Sequence, residues 1–155
     1  MYAGYGRIWV SRRMKNSYNF TVELEPDPDG GVLATFPDVP GAIAHGADEQ
    51  EATAQARIAL AVALFGYIKV EGRLPRPKKR VGRQIAPHAI DILKIAVVEA
   101  WLASGMSKSE FARLLRVDEK EARRILDPDA ATKADRLEQA LTLLGRKLHI
   151  AVEAA

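Results

Sequence analysis

The stretch Ser107–Leu126, S-K-S-E-F-A-R-L-L-R-V-D-E-K-E-A-R-R-I-L, limits what this chain can fold into more than any other. Ser107 and Glu110 have the spacing of a capping box, in which a hydroxyl and a carboxylate satisfy early helix N–H groups reciprocally. Asp118 and Glu121 repeat that spacing at a second start. Phe111, Ala112 and Leu115 share one face of the first helix, and Ala122, Ile125 and Leu126 share one face of the second. Val117 falls between them as an apolar plug. Ala112 is small, as a close crossing of two helix axes requires. The spacing therefore predicts two short helices around a tight turn.

On the second helix Lys120 and Arg124 project away from the apolar side, flanked by Glu121 and Arg123. This is the layout of a helix-turn-helix DNA reader, whose second helix enters the major groove. Ser107, Lys108, Lys120, Glu121, Arg123 and Arg124 are the candidate DNA-binding residues. Arg and Lys reach guanine edges or phosphates there, and Glu121 suits a cytosine amino group. Glu119 and Glu121 would also repel phosphate. The same pattern suits an ordinary helical hairpin with a solvated charged face. The two caps, the element lengths and the plugged turn together favour the DNA reader.

Charge divides the chain of 155 residues into unlike segments behind a net +3. Residues 1–13 hold three basic groups and no acidic one. Residues 14–72 hold three basic and nine acidic, a net −6. Residues 73–89 hold six basic and no acidic, and residues 90–155 hold eleven of each. An acidic head (14–72), a basic linker (73–89) and a balanced tail (90–155) are the expected units. Residues 1–13 suit neither, and read as an arm or a mis-annotated start, with Met14 as a plausible first residue. A hydrophobic share of 48% supports packed cores rather than disorder. The absence of cysteine excludes disulfides, thiol chemistry and cysteine zinc sites, and suits a reducing cytoplasm. No apolar run is read as reaching transmembrane length.

Tyr18, Phe20, Val22 and Leu24 alternate with Asn19, Thr21 and Glu23, predicting one strand over 18–24. Pro26–Gly31 is a turn, and Val32, Ala34 and Phe36 complete a hairpin. After the break at Pro37–Gly41, Ile43–His45 predicts a third short strand. Asp48 and Glu51 open a helix expected to run to about Val70, with Gly72 as its stop. Its segment Ile58–Phe65 is apolar all round. That fits either a small-residue helix packed on the sheet with exposed alanines, or a second face buried by another subunit or partner. Three prolines and Gly82 discourage helix across Leu74–His88, where Val81–Ala86 suits a short edge strand. Ile90–Ala103 predicts a helix with Ile92, Leu93, Ile95, Ala96, Val98 and Leu102 on its apolar face. Lys133–Leu144 predicts another, stopped at Gly145. Lys147–Glu153 alternates like a lone strand, which pairing with a second subunit would complete.

Three blocks of the head, L-E-P-D-P-D-G-G-V (Leu24–Val32), F-P-D-V-P-G (Phe36–Gly41) and G-A-D-E-Q-E-A (Gly46–Ala52), resemble the HicB antitoxins of bacterial type II toxin–antitoxin systems. F-A-R-L-L-R-V-D-E-K-E-A-R-R-I-L-D-P (Phe111–Pro128), A-T-K-A-D-R-L-E-Q-A-L (Ala131–Leu141) and L-G-R-K-L (Leu144–Leu148) resemble the helix-turn-helix tail of the longer HicB type. The resemblance spans roughly residues 17–153. It implies an α+β chain: a partial, inactive ribonuclease H-like small sheet plus one helix, then a helical helix-turn-helix domain with a C-terminal strand. It implies a HicA-like ribonuclease toxin and operator DNA as partners, and a homo-oligomer, dimer or tetramer. The −6 head suits a basic partner. Ala42 stands where the family carries a cysteine.

A ribonuclease H-like sheet raises the rival of an RNA-cleaving enzyme, which would need clustered carboxylates holding metal ions. Glu23, Glu25, Asp27, Asp29, Asp38, Asp48, Glu49 and Glu51 are spread over strand, turn and cap positions. His45, His88 and His149 lack ligand spacing. The expectation is a non-enzyme with no cofactor, no metal and no membrane partner. A stand-alone regulator with a dimerising or ligand-sensing head is the alternative function.

Overall fold

The computed structural model describes residues 18–78 and 81–152. The expectation for residues 1–13 therefore lies outside the described residues. The described residues are α+β, with small antiparallel sheets and five helices. In chain order the elements are β1 (Phe20–Thr21), β2 (Glu23–Pro26), β3 (Val32–Thr35), β4 (Ile43–Gly46), α1 (Glu49–Glu71), β5 (Gln84–Ile85), α2 (Ala89–Ser104), α3 (Lys108–Leu115), α4 (Glu119–Leu126) and α5 (Ala134–Leu143).

The strand expected over 18–24 is split at Val22. β1 pairs antiparallel with β5, while β2 pairs with β3 and β3 with β4. Val22 donates its N–H to the Arg83 carbonyl at 3.0 Å, so the chain changes pairing partner there without losing that hydrogen bond. The alternation itself holds through the split. Phe20 and Val22 are buried, and Tyr18 and Leu24 pack against the same core. Thr21 is buried on the other side, where its hydroxyl accepts from the Gln84 amide at 2.7 Å.

Asp27–Gly31 closes the β2–β3 hairpin. Gly31 holds φ +85, and a Cβ there would drive into the Gly46 carbonyl and the His45 ring. Gly46 is needed for a different reason: a Cβ would collide with the backbone of Ala52. That close approach lets β4 run directly into α1. Asp48 caps the helix by accepting from the Glu51 N–H at 2.8 Å. Glu51 reaches back to the N–H of Ala47, one residue before the cap, at 2.8 Å. Gly72 ends the helix in a left-handed conformation.

Ala52, Ala56, Leu60, Leu64 and Ile68 form a buried i, i+4 row against the sheet, where Phe20, Ala34, Phe36, Val39 and Ala42 meet it. Burying each large aliphatic chain contributes about 1.5–3 kcal/mol. By length and composition α1 is long enough and apolar enough to cross a membrane, which corrects the sequence reading. Its buried row has the role of a core helix. Ile58 and Val62 of the same helix are exposed, as is Ile43 on the neighbouring β4.

A second buried cluster joins Val97, Ala100, Phe111, Ala112, Leu115, Ala122, Ile125, Leu137, Ala140 and Leu141. α2 serves both clusters, because Ile95 is buried in the first and Val98 packs on it. That corrects its expected single apolar face. Lys94, Ile95, Val97 and Ala100 are the buried positions, and Leu102 is exposed. A helix between two cores buries two stripes, which one wheel projection does not capture. The strand expected over 147–153 is also corrected. Residues 147–152 adopt no regular element and pair with no strand among the described residues, and residue 153 lies outside them.

Candidate nucleic-acid interface

α3, α4 and the turn between them are fixed by local chemistry. Ser107 accepts from the Glu110 N–H at 3.2 Å, and Glu110 accepts from the Ser107 N–H at 2.8 Å, completing the expected box. The Ser107 N–H and, second to it, the Ser107 hydroxyl, also at 2.8 Å, donate to the Glu110 carboxylate and hold it below its ordinary pKa. At the second start Asp118 accepts from the Glu121 N–H at 2.7 Å. The Glu121 carboxylate lies 4.0 Å from the Arg124 guanidinium.

The turn rests on Arg116, the one non-glycine residue with positive φ among the described residues, at +55°. With that kink the N–H of Val117 reaches the Ala112 carbonyl at 3.0 Å, a helix-terminating bond that a left-handed residue makes possible. Val117 packs on the second cluster, as the plug was expected to. Glu119 then ties the helices together. It accepts from the Ser109 hydroxyl at 2.5 Å and from Arg123 at 3.2 Å. Behind this pair Phe111 meets Trp101 with ring centroids 6.4 Å apart.

The structure brings five of the six candidate residues to the surface around this turn. Ser107, Lys108, Lys120, Arg123 and Arg124 are exposed, and Glu121 is half-buried. Ala122 and Ile125 are fully buried behind them, so the basic side of α4 faces solvent as the wheel requires. Ser107 is committed to its cap, which leaves it a structural job at this edge. The cations of Arg123 and Arg124 lie near Glu119 and Glu121. Exposed pairs of this kind contribute only about 0.2–1 kcal/mol, so phosphate can compete for them.

Sequence reasoning missed Lys94. Its side chain is 5% exposed on α2, and its ammonium donates to the Ala130 carbonyl and, at 3.1 Å, to the Thr132 hydroxyl. It pins the 127–133 turn behind α4. Burial lowers its pKa, against the partial opposition of Asp127. An inward lysine on an apolar helix has no periodic signal of its own, so only the structure finds it. Arg57 was missed as well. It donates to the Ala86 and Pro87 carbonyls at 3.1 and 3.3 Å, clamping the segment between β5 and α2 to α1.

The acids of the head are occupied in local structure. Asp27 accepts from the Asp29 N–H at 2.9 Å and lies 3.6 Å from His45. Asp38 accepts from the Lys78 N–H at 2.7 Å, and Glu49 lies 3.5 Å from Arg83. Asp48 and Glu51 serve the start of α1. No group of three or more His, Asp or Glu with metal-holding geometry occurs among the described residues. The F-P-D-V-P-G block thus has a structural explanation. Phe36 and Val39 fill the core, Asp38 holds the backbone at Lys78, and the Pro40 carbonyl accepts from the Tyr67 hydroxyl at 3.3 Å.

No family model matches the chain. Individual relatives do. Antitoxin HicB 2 of Photorhabdus laumondii is 30% identical over 137 residues, covering 88% of this chain and 98% of the relative. The chain belongs to the HicB antitoxin family. Antitoxin HicB 1 of the same organism is 28% identical over 97% of this chain and 94% of its own length. Antitoxin HicB of Escherichia coli K12 is 29% identical over 84% of this chain and 96% of its own. The matches thus run through the head and the α3–α4 pair alike. HicB antitoxins are non-enzymatic, and this chain is not an enzyme. The relation supports an antitoxin role.

Proposed function

We propose that this HicB chain neutralises a HicA-like ribonuclease toxin and represses its own operon by binding operator DNA. The head, residues 14–72, binds the toxin on a partial ribonuclease H-like fold. Its −6 charge favours a basic partner by steering and complementarity. Residues 73–89 form a basic linker, and residues 90–155 form the DNA-binding domain. There α3 and α4 act as a helix-turn-helix, with Lys120, Arg123 and Arg124 entering the major groove, Glu121 within reach of a cytosine amino group and Lys108 on phosphate. The protein acts in the cytoplasm as a homo-oligomer.

The observation that carries the DNA half is the α4 surface. Its basic residues lie outward over a buried Ala122–Ile125 floor, after a turn held by Arg116. The toxin half rests on the antitoxin relatives and on the acidic head. The test is co-expression with the small basic reading frame adjoining the gene, followed by purification through a tag on this chain. A stoichiometric complex and rescue of growth support the toxin half. A chain that purifies alone beside a harmless neighbour refutes it. Gel-shift titration of the upstream DNA tests the other half independently.

A further inference from the structure

The segment Leu74-Pro75-Arg76-Pro77-Lys78 holds two outward cations on a backbone that is already fixed. Arg76 and Lys78 are exposed, while Leu74, Pro75 and Pro77 are half-buried. A residue before proline is pushed into an extended conformation, which applies to Leu74 and to Arg76. Leu74 packs on the first core cluster. At the other end the Lys78 N–H is tied to the Asp38 carboxylate at 2.7 Å. In an extended chain Arg76 and Lys78 stand about 6 Å apart, close to the spacing of successive phosphates on a nucleic-acid strand. Cations held in this way lose little freedom on binding.

The nearby acids are used to hold the backbone and the flanks. Asp38 takes the Lys78 N–H, and Glu71 lies 3.9 Å from Arg73. The Arg76 guanidinium and the Lys78 ammonium form no ion pair among the described residues. Lys69, exposed in the last turn of α1, adds to the charge at this end of the helix. Arg83 lies by Glu49 at the start of α1, about 33 Å away along the helix, and is not part of the patch. Residues 14–72 carry a net −6, so a polyanion is repelled elsewhere on that part of the molecule and directed to these cations. α2 fixes the patch relative to α4. Its Ile95 is buried in the first cluster, and its Val97 and Ala100 are buried in the second.

We propose that Arg76 and Lys78 bind the phosphate backbone of duplex DNA, as a sequence-independent contact separate from α4. The proposal rests on the reading that this chain binds DNA, but not on α4 being the reader. Fluorescence anisotropy of the full chain, on the upstream duplex and on a scrambled duplex of equal length, tests it. Arg76→Ala/Lys78→Ala should weaken binding to both duplexes by the same factor and leave Tm unchanged. Two lost phosphate contacts lower the slope of log affinity against log salt by about 1.8, so between about 50 and 200 mM salt the wild type should lose about tenfold more affinity than the variant. Arg76→Lys/Lys78→Arg, which keeps both charges, should keep the wild-type slope. In Lys120→Ala/Arg124→Ala the preference for the upstream duplex should vanish, while the share of binding owed to Arg76 and Lys78 persists. If that variant keeps its preference and Arg76→Ala/Lys78→Ala still loses slope, the α4 reading fails and this contact stands. An unchanged slope in Arg76→Ala/Lys78→Ala overturns the proposal, as does a loss confined to the upstream duplex. A wild type that binds neither duplex overturns it together with the DNA reading. Tighter binding of RNA of the same sequence, lost in the same variant, overturns the assignment to DNA.

Discussion

Replacing Arg116 with glycine should stabilise the protein. The residue sits at φ +55°, ψ +46°, where a Cβ crowds the following carbonyl oxygen. That left-handed conformation costs an L-residue about 1–2 kcal/mol. Glycine removes the cost but gains freedom in the unfolded chain, which returns about 0.4–1 kcal/mol of it. The net expectation is a gain of about 0.5–1 kcal/mol. For a chain of this size that raises Tm by about 1–4 °C. The side chain is exposed and its guanidinium has no role in the turn, where the two bonding groups are the backbone N–H groups of Arg116 and Val117. Thermal unfolding followed at 222 nm, without DNA, measures the change. Arg116→Val supplies the opposite arm, since a β-branched residue is worse in this conformation and should lower Tm. If glycine lowers Tm, the turn is not held at the cost of backbone strain, and the left-handed geometry assigned to Arg116 is wrong.

Asp118→Ala should cost about 1 kcal/mol in urea unfolding, because it leaves the Glu121 N–H without its cap. Arg124→Ala should weaken operator binding by about 1–3 kcal/mol if the guanidinium makes a bidentate guanine contact, and an unchanged gel-shift affinity would refute that contact. The acid-side dependence follows from Glu110, whose pKa is lowered in the folded state. Its stabilising contribution is present above the ordinary carboxyl value of 4.5 and lost as pH falls through the folded value. Urea titrations should therefore show wild type and Glu110→Ala converging in acid. Lys94 acts at the alkaline end with the other sign. Its pKa is lowered from 10.5, so between the folded value and 10.5 the unfolded chain holds the extra proton and stability rises with pH. Relative to Lys94→Met, the wild type should gain stability across that window, and a flat difference would contradict the burial of a charged ammonium.

What was legible in the sequence is what local chemistry decides. The cap at Asp48, the box at Ser107 and Glu110, the stops at Gly72 and Gly145 and the alternation of Phe20, Val22 and Leu24 each need only a few neighbouring residues. The outward set of Lys120, Arg123 and Arg124 was legible for the same reason, since Ala122 and Ile125 fix the inward side of a single short helix. The split of the first strand was not. It depends on Arg83, far along the chain, offering its carbonyl to Val22. Nor was the double use of α2, because a sequence wheel assumes one buried stripe and this helix has two cores to serve.

Lys94 and Arg57 belong to the same class of omission. Each is a cation whose job is to satisfy carbonyls that the chain's bends leave open, at Ala130 for one and at Ala86 and Pro87 for the other. Buried carbonyls must find donors, and helices supply long side chains able to reach them. Such residues tie the segment at Ala86 and Pro87 to α1 and the 127–133 turn to α2. Both bends adjoin the parts assigned a function, the head on one side and α4 on the other. The turn that follows α4 is therefore anchored by an inward lysine, beside the packing of the helix's own apolar face. A loss of operator binding in Lys94→Ala, with Lys120, Arg123 and Arg124 all intact, would separate that positioning from direct contact.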